Sequence, residues 1–107
     1  MAVPRDPTGV FQEDAGVQQK PRIQEPKLYR VILHNDHYTT MDFVVEVLQR
    51  FFKKSHDEAV KITLMIHTQG SGVGGIYSRE IAEAKVAQVT DAARARGFPL
   101  KCTAEPQ

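Results

Sequence analysis

"KLYRVILHNDHYTTMDFVVEVLQRFF", residues 27–52, changes its hydrophobic period midway, and that change decides the fold. Its first part, "KLYRVILH" at 27–34, is β-branched and aromatic, with Leu28, Tyr29, Val31, Ile32 and Leu33 apolar enough for a mostly buried strand. From residue 41 onward, Val44, Val47, Leu48, Phe51 and Phe52 recur at three- and four-residue spacing while Glu46, Gln49 and Arg50 face the other way. That is an amphipathic core helix. The intervening "NDHYTT" supplies turn formers, and Thr39 with Asp42 three residues later fits the reciprocal capping pattern that starts a helix.

Working outward, "KKSHDEAVKITLMIHTQG" offers Ser55 with Glu58 as a second capping box and Gly70 as a left-handed stop, so a helix is predicted over 56–69. Ala59, Val60, Ile62, Leu64, Met65 and Ile66 surround most of its circumference. Such a helix is either sandwiched between other elements, the default expectation, or lends one apolar side to a concave ligand surface. "SGVGGIYS", 71–78, reads as a glycine-thinned strand, and "SREIAEAKVAQVTDAARARG" as a third helix. Ser78 can cap it, Glu80 and Glu83 suit its positive end, Arg94 and Arg96 its negative end, and Gly97 its stop. Its buried stripe is expected to be Ala82, Val86, Val89 and Ala93. "PLKCTAE" alternates as a closing strand. The order predicts an α+β fold, helices on one face of a three-stranded sheet.

Composition bounds the function. The 107 residues are 41% hydrophobic and 25% charged, enough for one domain with a modest core. Fourteen basic and 13 acidic side chains leave a net charge of +1, so no electrostatic footprint for nucleic acid stands out. The lone Cys102 cannot close an intrachain disulfide, no basic-then-apolar leader opens the sequence, and no apolar run nears the ~20 residues of a membrane span. The cytoplasm is the expected location. Residues 1–26 hold four of the six prolines and little periodic hydrophobicity, and are expected to form a flexible arm ahead of a core domain at 27–107.

"GSGVGG", 70–75, fits G-x-G-x-x-G, but it follows a helix and leads into a strand, the reverse of the order that aims a helix start at a pyrophosphate. Close backbone approach or a bulge is the plainer expectation. His34, His37, His56 and His67 carry the donors of a zinc site, yet their spacing is poor. Hydrolase chemistry built on His67, Asp36 and Cys102 is an alternative, with no serine at a strained elbow to support it. A binding site accounts better for the polarity of 33–41. Asn35, Asp36 and a neutral His67 supply acceptors for a donor-rich cation such as an ammonium, and Met41, Val44, Leu64, Ile66 and Leu100 would wall an apolar cavity beside them. Taken alone, Asn35 and Asp36 read more simply as an Asx turn before a capped helix.

The blocks "YRVILHNDHYTTMDFVVEVLQRFF", "MIHTQG", "EIAEAKVAQV" and "FPLKCT" resemble, in collinear order across about residues 27–104, ClpS, the adaptor that delivers N-degron substrates to the AAA+ unfoldase ClpA. The resemblance implies the helix-covered three-stranded antiparallel sheet (βααβαβ) also found in the C-terminal domain of a ribosomal stalk protein. It implies an adaptor, not an enzyme, with no catalytic residue, metal or cofactor. It further implies capture of a first residue Phe, Tyr, Trp or Leu. Asn35 and His67 would hold the α-amine, with Asp36 and His37 in the assisting turn. Thr39, Met41, Val44, Thr63, Ile66 and Leu100 would form the side-chain pocket. Glu80 and Lys85 match positions that dock on the N-terminal domain of ClpA, or of a related ClpC, and the arm matches an extension needed for hand-off. Three positions depart from the family pattern: His37 stands where a second acidic residue is common, Thr63 where a pocket methionine is common, and Thr40 where proline often precedes Met41.

Overall fold

A computed structural model describes residues 26–107; the arm expected at 1–26 lies, but for its last residue, outside the described residues. Strand β1 (Leu28–His34) leads to helices α1 (Met41–Phe52) and α2 (His56–Gln69), strand β2 (Ser71–Ser78), helix α3 (Arg79–Arg96) and strand β3 (Lys101–Pro106). The strands form one antiparallel sheet in the order β2-β1-β3, with helices on one face, as expected. Val31 and Leu33 of β1, Val47 and Leu48 of α1, and Val89 of α3 are the largest fully buried side chains. Each contributes ~1.5–3 kcal/mol relative to exposure. Where α1 begins and α3 ends, the Phe43 and Phe98 rings lie 4.9 Å apart. The Arg96 guanidinium spans both rings and bonds Glu46 at 3.4 Å.

The helix ends follow the sequence signals with two corrections. Ser55 and Glu58 make the reciprocal capping box of α2, and Gly70 (φ 96°) and Gly97 (φ 77°) close α2 and α3 in left-handed conformations. At the start of α1, however, Thr40 rather than Thr39 is the cap: its hydroxyl accepts the Phe43 N–H at 3.2 Å. Thr39 is unavailable because its amide and hydroxyl both donate to Asp36. Ser78 precedes α3, but its hydroxyl makes no capping bond.

Helix α2 is not sandwiched. It packs on α1 and β2 at the edge of the helical layer, burying Ala59, Thr63 and Ile66, and leaves Leu64 and Met65 49% and 44% exposed. In α3, Ala82, Val89 and Ala93 are buried while Val86 is only partly so. The glycines of "GSGVGG" serve packing. Val31 pairs with Gly75 and Ile32 with Val73, so Gly74 is the extra residue of a bulge. A Cβ on Gly74 would lie 3.0 Å from the Phe52 ring, and one on Gly72 would lie 2.8 Å from Cγ1 of Ile66. The helices could not sit this close on a strand with ordinary side chains there.

Candidate functional site

Two backbone hydrogen bonds and a side-chain-braced turn bring the polar stretch and the two helices together. The Asn35 N–H donates to the Gly70 carbonyl at 2.9 Å, and the Gly70 N–H donates to the Ile66 carbonyl at 2.9 Å. These bonds tie the end of β1 to the end of α2, on whose last turn His67 sits. The segment then turns at once. Oδ1 of Asp36 accepts the Tyr38 and Thr39 amides, each at 2.7 Å, and Oδ2 accepts the Thr39 hydroxyl at 2.7 Å. This is an Asx turn, the plain expectation for Asp36 taken alone. It delivers the chain to the Thr40 cap and hence to Met41 and Val44 on α1.

The result is a hollow of about 390 Å³ between the 35–39 turn, the start of α1 and the end of α2. Asn35, Asp36, His37, Thr39, Met41, Val44, Thr63, Ile66 and His67 line it. Its floor is buried Val44, Thr63 and Ile66, while Asn35, His37, Met41 and His67 stand exposed around the rim. One sequence expectation falls elsewhere: Leu64 is 49% exposed and does not line the hollow. Leu100 is buried in the same core cluster as Val44 and Ile66 of the floor. Sequence reasoning missed Gly72, which lies behind the wall against Ile66; its cue was only the density of glycines in β2. Among the described residues, hollows of about 630 and 460 Å³ also flank α1 and are more open to solvent.

The groups in the hollow suit recognition better than reaction. Partial burial acts to raise the Asp36 pKa, but the bonds from Thr39 and Tyr38, with a smaller charge contribution from His37, outweigh it and hold the carboxyl below its ordinary 3.8. Asp36 is therefore a poor proton carrier near neutrality. The Thr39 hydroxyl is committed to Asp36 and the Thr63 hydroxyl to the Ala59 carbonyl at 2.7 Å, so neither is poised as a nucleophile. Cys102 is buried on β3, and desolvation pushes its thiol up to about 12. The four histidines do not converge: His34 bonds Thr103 on the sheet, His56 starts α2, and only His37 and His67 share the hollow. Among the described residues no group of three or more His, Cys, Asp or Glu is placed to hold a metal ion.

On α3, Glu80 is exposed in the first turn and the Lys85 ammonium lies 5.7 Å from the Tyr77 ring centre. A five-residue step turns a helix by ~140° net, and the arc between them carries Ala84, Gln88 and half-exposed Ile81. No helix of the described residues is long and apolar enough to cross a membrane.

A family model described as "ATP-dependent Clp protease adaptor protein ClpS" matches residues 24–103. A ClpS adapter from Oleidesulfovibrio alaskensis is 53% identical over 93 residues, covering 87% of this chain and 89% of that protein. One from Caulobacter vibrioides is 56% identical over 86 residues, covering 80% and 79%. The solved structure of Agrobacterium tumefaciens ClpS2 bound to L-phenylalaninamide superposes with a TM-score of 0.75 at 42% identity, covering 78% of this chain and all of that one. With this fold, and with about three quarters of its length matched, the chain belongs to the ClpS family of ATP-dependent Clp protease adaptor proteins, which are adaptors and not enzymes.

Proposed function

We propose that this adaptor holds proteins by a free α-amine and a large hydrophobic first residue, Phe, Tyr, Trp or Leu, and delivers them in the cytoplasm to the N-terminal domain of the unfoldase ClpA or a related ClpC. The observation that carries the reading is the hollow itself, a buried floor of Val44, Ile66 and Thr63, whose hydroxyl is committed to the Ala59 carbonyl, beneath a rim bearing Asn35 and His67. The ligand in the Agrobacterium relative has the same two halves. L-Phenylalaninamide is a phenylalanine with a free amine and with its carboxyl blocked as an amide, as in the first residue of a polypeptide.

The Asn35 side-chain oxygen and a neutral ring nitrogen of His67 accept from the ammonium, and the turn at Asp36 and His37 assists. A free α-amine, with pKa ~7.7–8.0, is largely protonated at pH 7, and hydrogen bonds to a charged group contribute ~1.5–3 kcal/mol. An internal peptide nitrogen offers neither the charge nor the extra donors. Thr39, Met41, Val44, Thr63 and Ile66 receive the side chain, with Leu100 supporting them from the core. Met41, 41% exposed at the rim, filters out Ile and Val, whose second branch lies close to the backbone. Glu80 and Lys85 dock the unfoldase, and residues 1–26 serve the hand-off to its translocating motor.

The test is a panel of Phe- and Leu-starting peptides with their N-acetylated forms. Free peptides bind and acetylated ones do not; Asn35→Ala with His67→Ala removes the difference. Deleting residues 1–26 spares peptide affinity and abolishes degradation by the assembled protease. Equal binding of free and acetylated peptides sinks the amine reading.

A further inference from the structure

We propose that Asp36 is a positioning residue for the amine site, holding the 36–39 turn in shape with both carboxylate oxygens, and is not the counter-charge that the bound ammonium faces. The inference rests on the proposed recognition of a free α-amine and assigns a role within it. With His37 in the adjacent position, Asp36 is, among the described residues, the only carboxylate lining the hollow, so it is the obvious ion-pair partner for a cation. Its geometry argues otherwise. Three donors, the Tyr38 and Thr39 amides and the Thr39 hydroxyl, reach it at 2.7 Å each. Short bonds of this length are those expected of a fully ionised acceptor already supplied with donors.

What the bonds hold also matters. Without them Thr39 would be free to cap α1 in place of Thr40, which would shift the start of the helix and with it Met41 at the rim. Asn35 sits immediately before the turn, fixed from the other side by the Gly70 carbonyl. Asp36 therefore sets the spacing between the residue that meets the amine and the residues that meet the side chain. The ammonium is left to neutral acceptors, Asn35 and His67, and binding should depend little on the charge at position 36.

Asparagine and alanine at that position separate the two roles. Asp36→Asn keeps an Oδ1 that accepts both amides but loses the charge and the Oδ2 acceptor of the Thr39 hydroxyl, a loss that Thr39→Val reproduces with the charge intact, whereas Asp36→Ala loses the turn. Affinity of the full chain for a dye-labelled Phe-starting peptide and its N-acetylated form is measured by fluorescence anisotropy from low to high salt. Exchange of the Tyr38 and Thr39 amides is followed by NMR. The expected result is Asp36→Asn within about threefold of the parent with the same salt dependence, and Asp36→Ala weaker by about tenfold or more, the scale of one lost charge-assisted bond. Both amides stay protected in Asp36→Asn and exchange faster in Asp36→Ala. Thr39→Val, which keeps the charge and removes the hydroxyl donor, falls between them. An Asp36→Asn protein as weak as Asp36→Ala while its amides remain protected would make the charge itself the ligand and overturn the proposal. If the parent holds free and acetylated peptides equally, the amine reading fails first; if it discriminates between them, only the role given to Asp36 is at stake.

Discussion

Adding one methyl behind the wall of the hollow should reshape it without touching any ligand. A Cβ on Gly72 would lie 2.8 Å from Cγ1 of Ile66. Apolar carbons rest at about 3.5–4.0 Å, so Gly72→Ala demands a displacement of roughly 1 Å. Cγ1 is mid-chain, and an Ile in a helix has essentially one χ1 well, so the side chain cannot simply swing away. Either α2 lifts from β2 or Ile66 is strained, at a cost of about 1–3 kcal/mol. Ile66→Ala alone should cost about 2–5 kcal/mol by leaving a cavity. In the double variant the clash is absent, and part of the cavity is refilled by the new methyl. Urea unfolding of the four proteins therefore gives a coupling of about 1–3 kcal/mol between the two sites, of the sign in which Gly72→Ala is better tolerated once Ile66 is truncated. Peptide anisotropy adds the functional readout: Gly72→Ala weakens a Phe-starting peptide more than a Leu-starting one. Additivity within about 0.5 kcal/mol would refute the reasoning, because it would mean the two residues do not share one space.

Three further outcomes can be measured on the same protein. Thr63→Met, filling a buried position on the floor, should shift preference from Phe- toward Leu-starting peptides; an unchanged ratio removes Thr63 from specificity. The Asp36 turn should survive mild acid: a carboxyl whose folded pKa is depressed keeps its stabilising contribution above its unfolded value near 3.8 and loses it only as pH drops through the lower folded value, so loss of Tyr38 and Thr39 amide protection well above 3.8 would contradict the bonding scheme. Cys102, with its thiol raised to about 12 by burial, should resist a thiol reagent in the native state and react on unfolding; rapid native labelling would show that β3 opens.

The sheet and helices were legible because their cues are local. Residues 27–34 and 41–52 differ in hydrophobic period, Ser55 and Glu58 announce α2, and Gly70 and Gly97 end helices at positions where only a left-handed residue fits easily. The start of α1 was misassigned between two adjacent threonines because the deciding fact is not helical. Asp36 takes the Thr39 amide and hydroxyl first, and that competition is visible only when the turn is built. For α2, periodicity registered how many apolar residues surround it but not that it lies at the edge of the layer, which leaves Leu64 and Met65 in water.

On the proposed reading, the modest size of the hollow imposes a two-part test on the ligand. Burying a Leu or Phe side chain contributes ~1.5–3 kcal/mol, and a set of charge-assisted bonds to the amine a comparable amount per bond. Association costs an estimated 4–15 kcal/mol in lost freedom, so neither half offsets it alone. A deeper pocket would let a large aromatic bind from anywhere in a chain, and a stronger anion at the rim would hold any amine, including the side chain of lysine. On the proposed reading a hollow of about 390 Å³, with Asn35 and His67 meeting the amine at its rim, does neither. On this reading, introducing a free carboxylate by His37→Asp should raise affinity for every free-amine peptide while narrowing the gap between Phe- and Ala-starting ones. If affinity rises and the gap does not narrow, selectivity comes from the fit of the side chain and not from the weakness of each half.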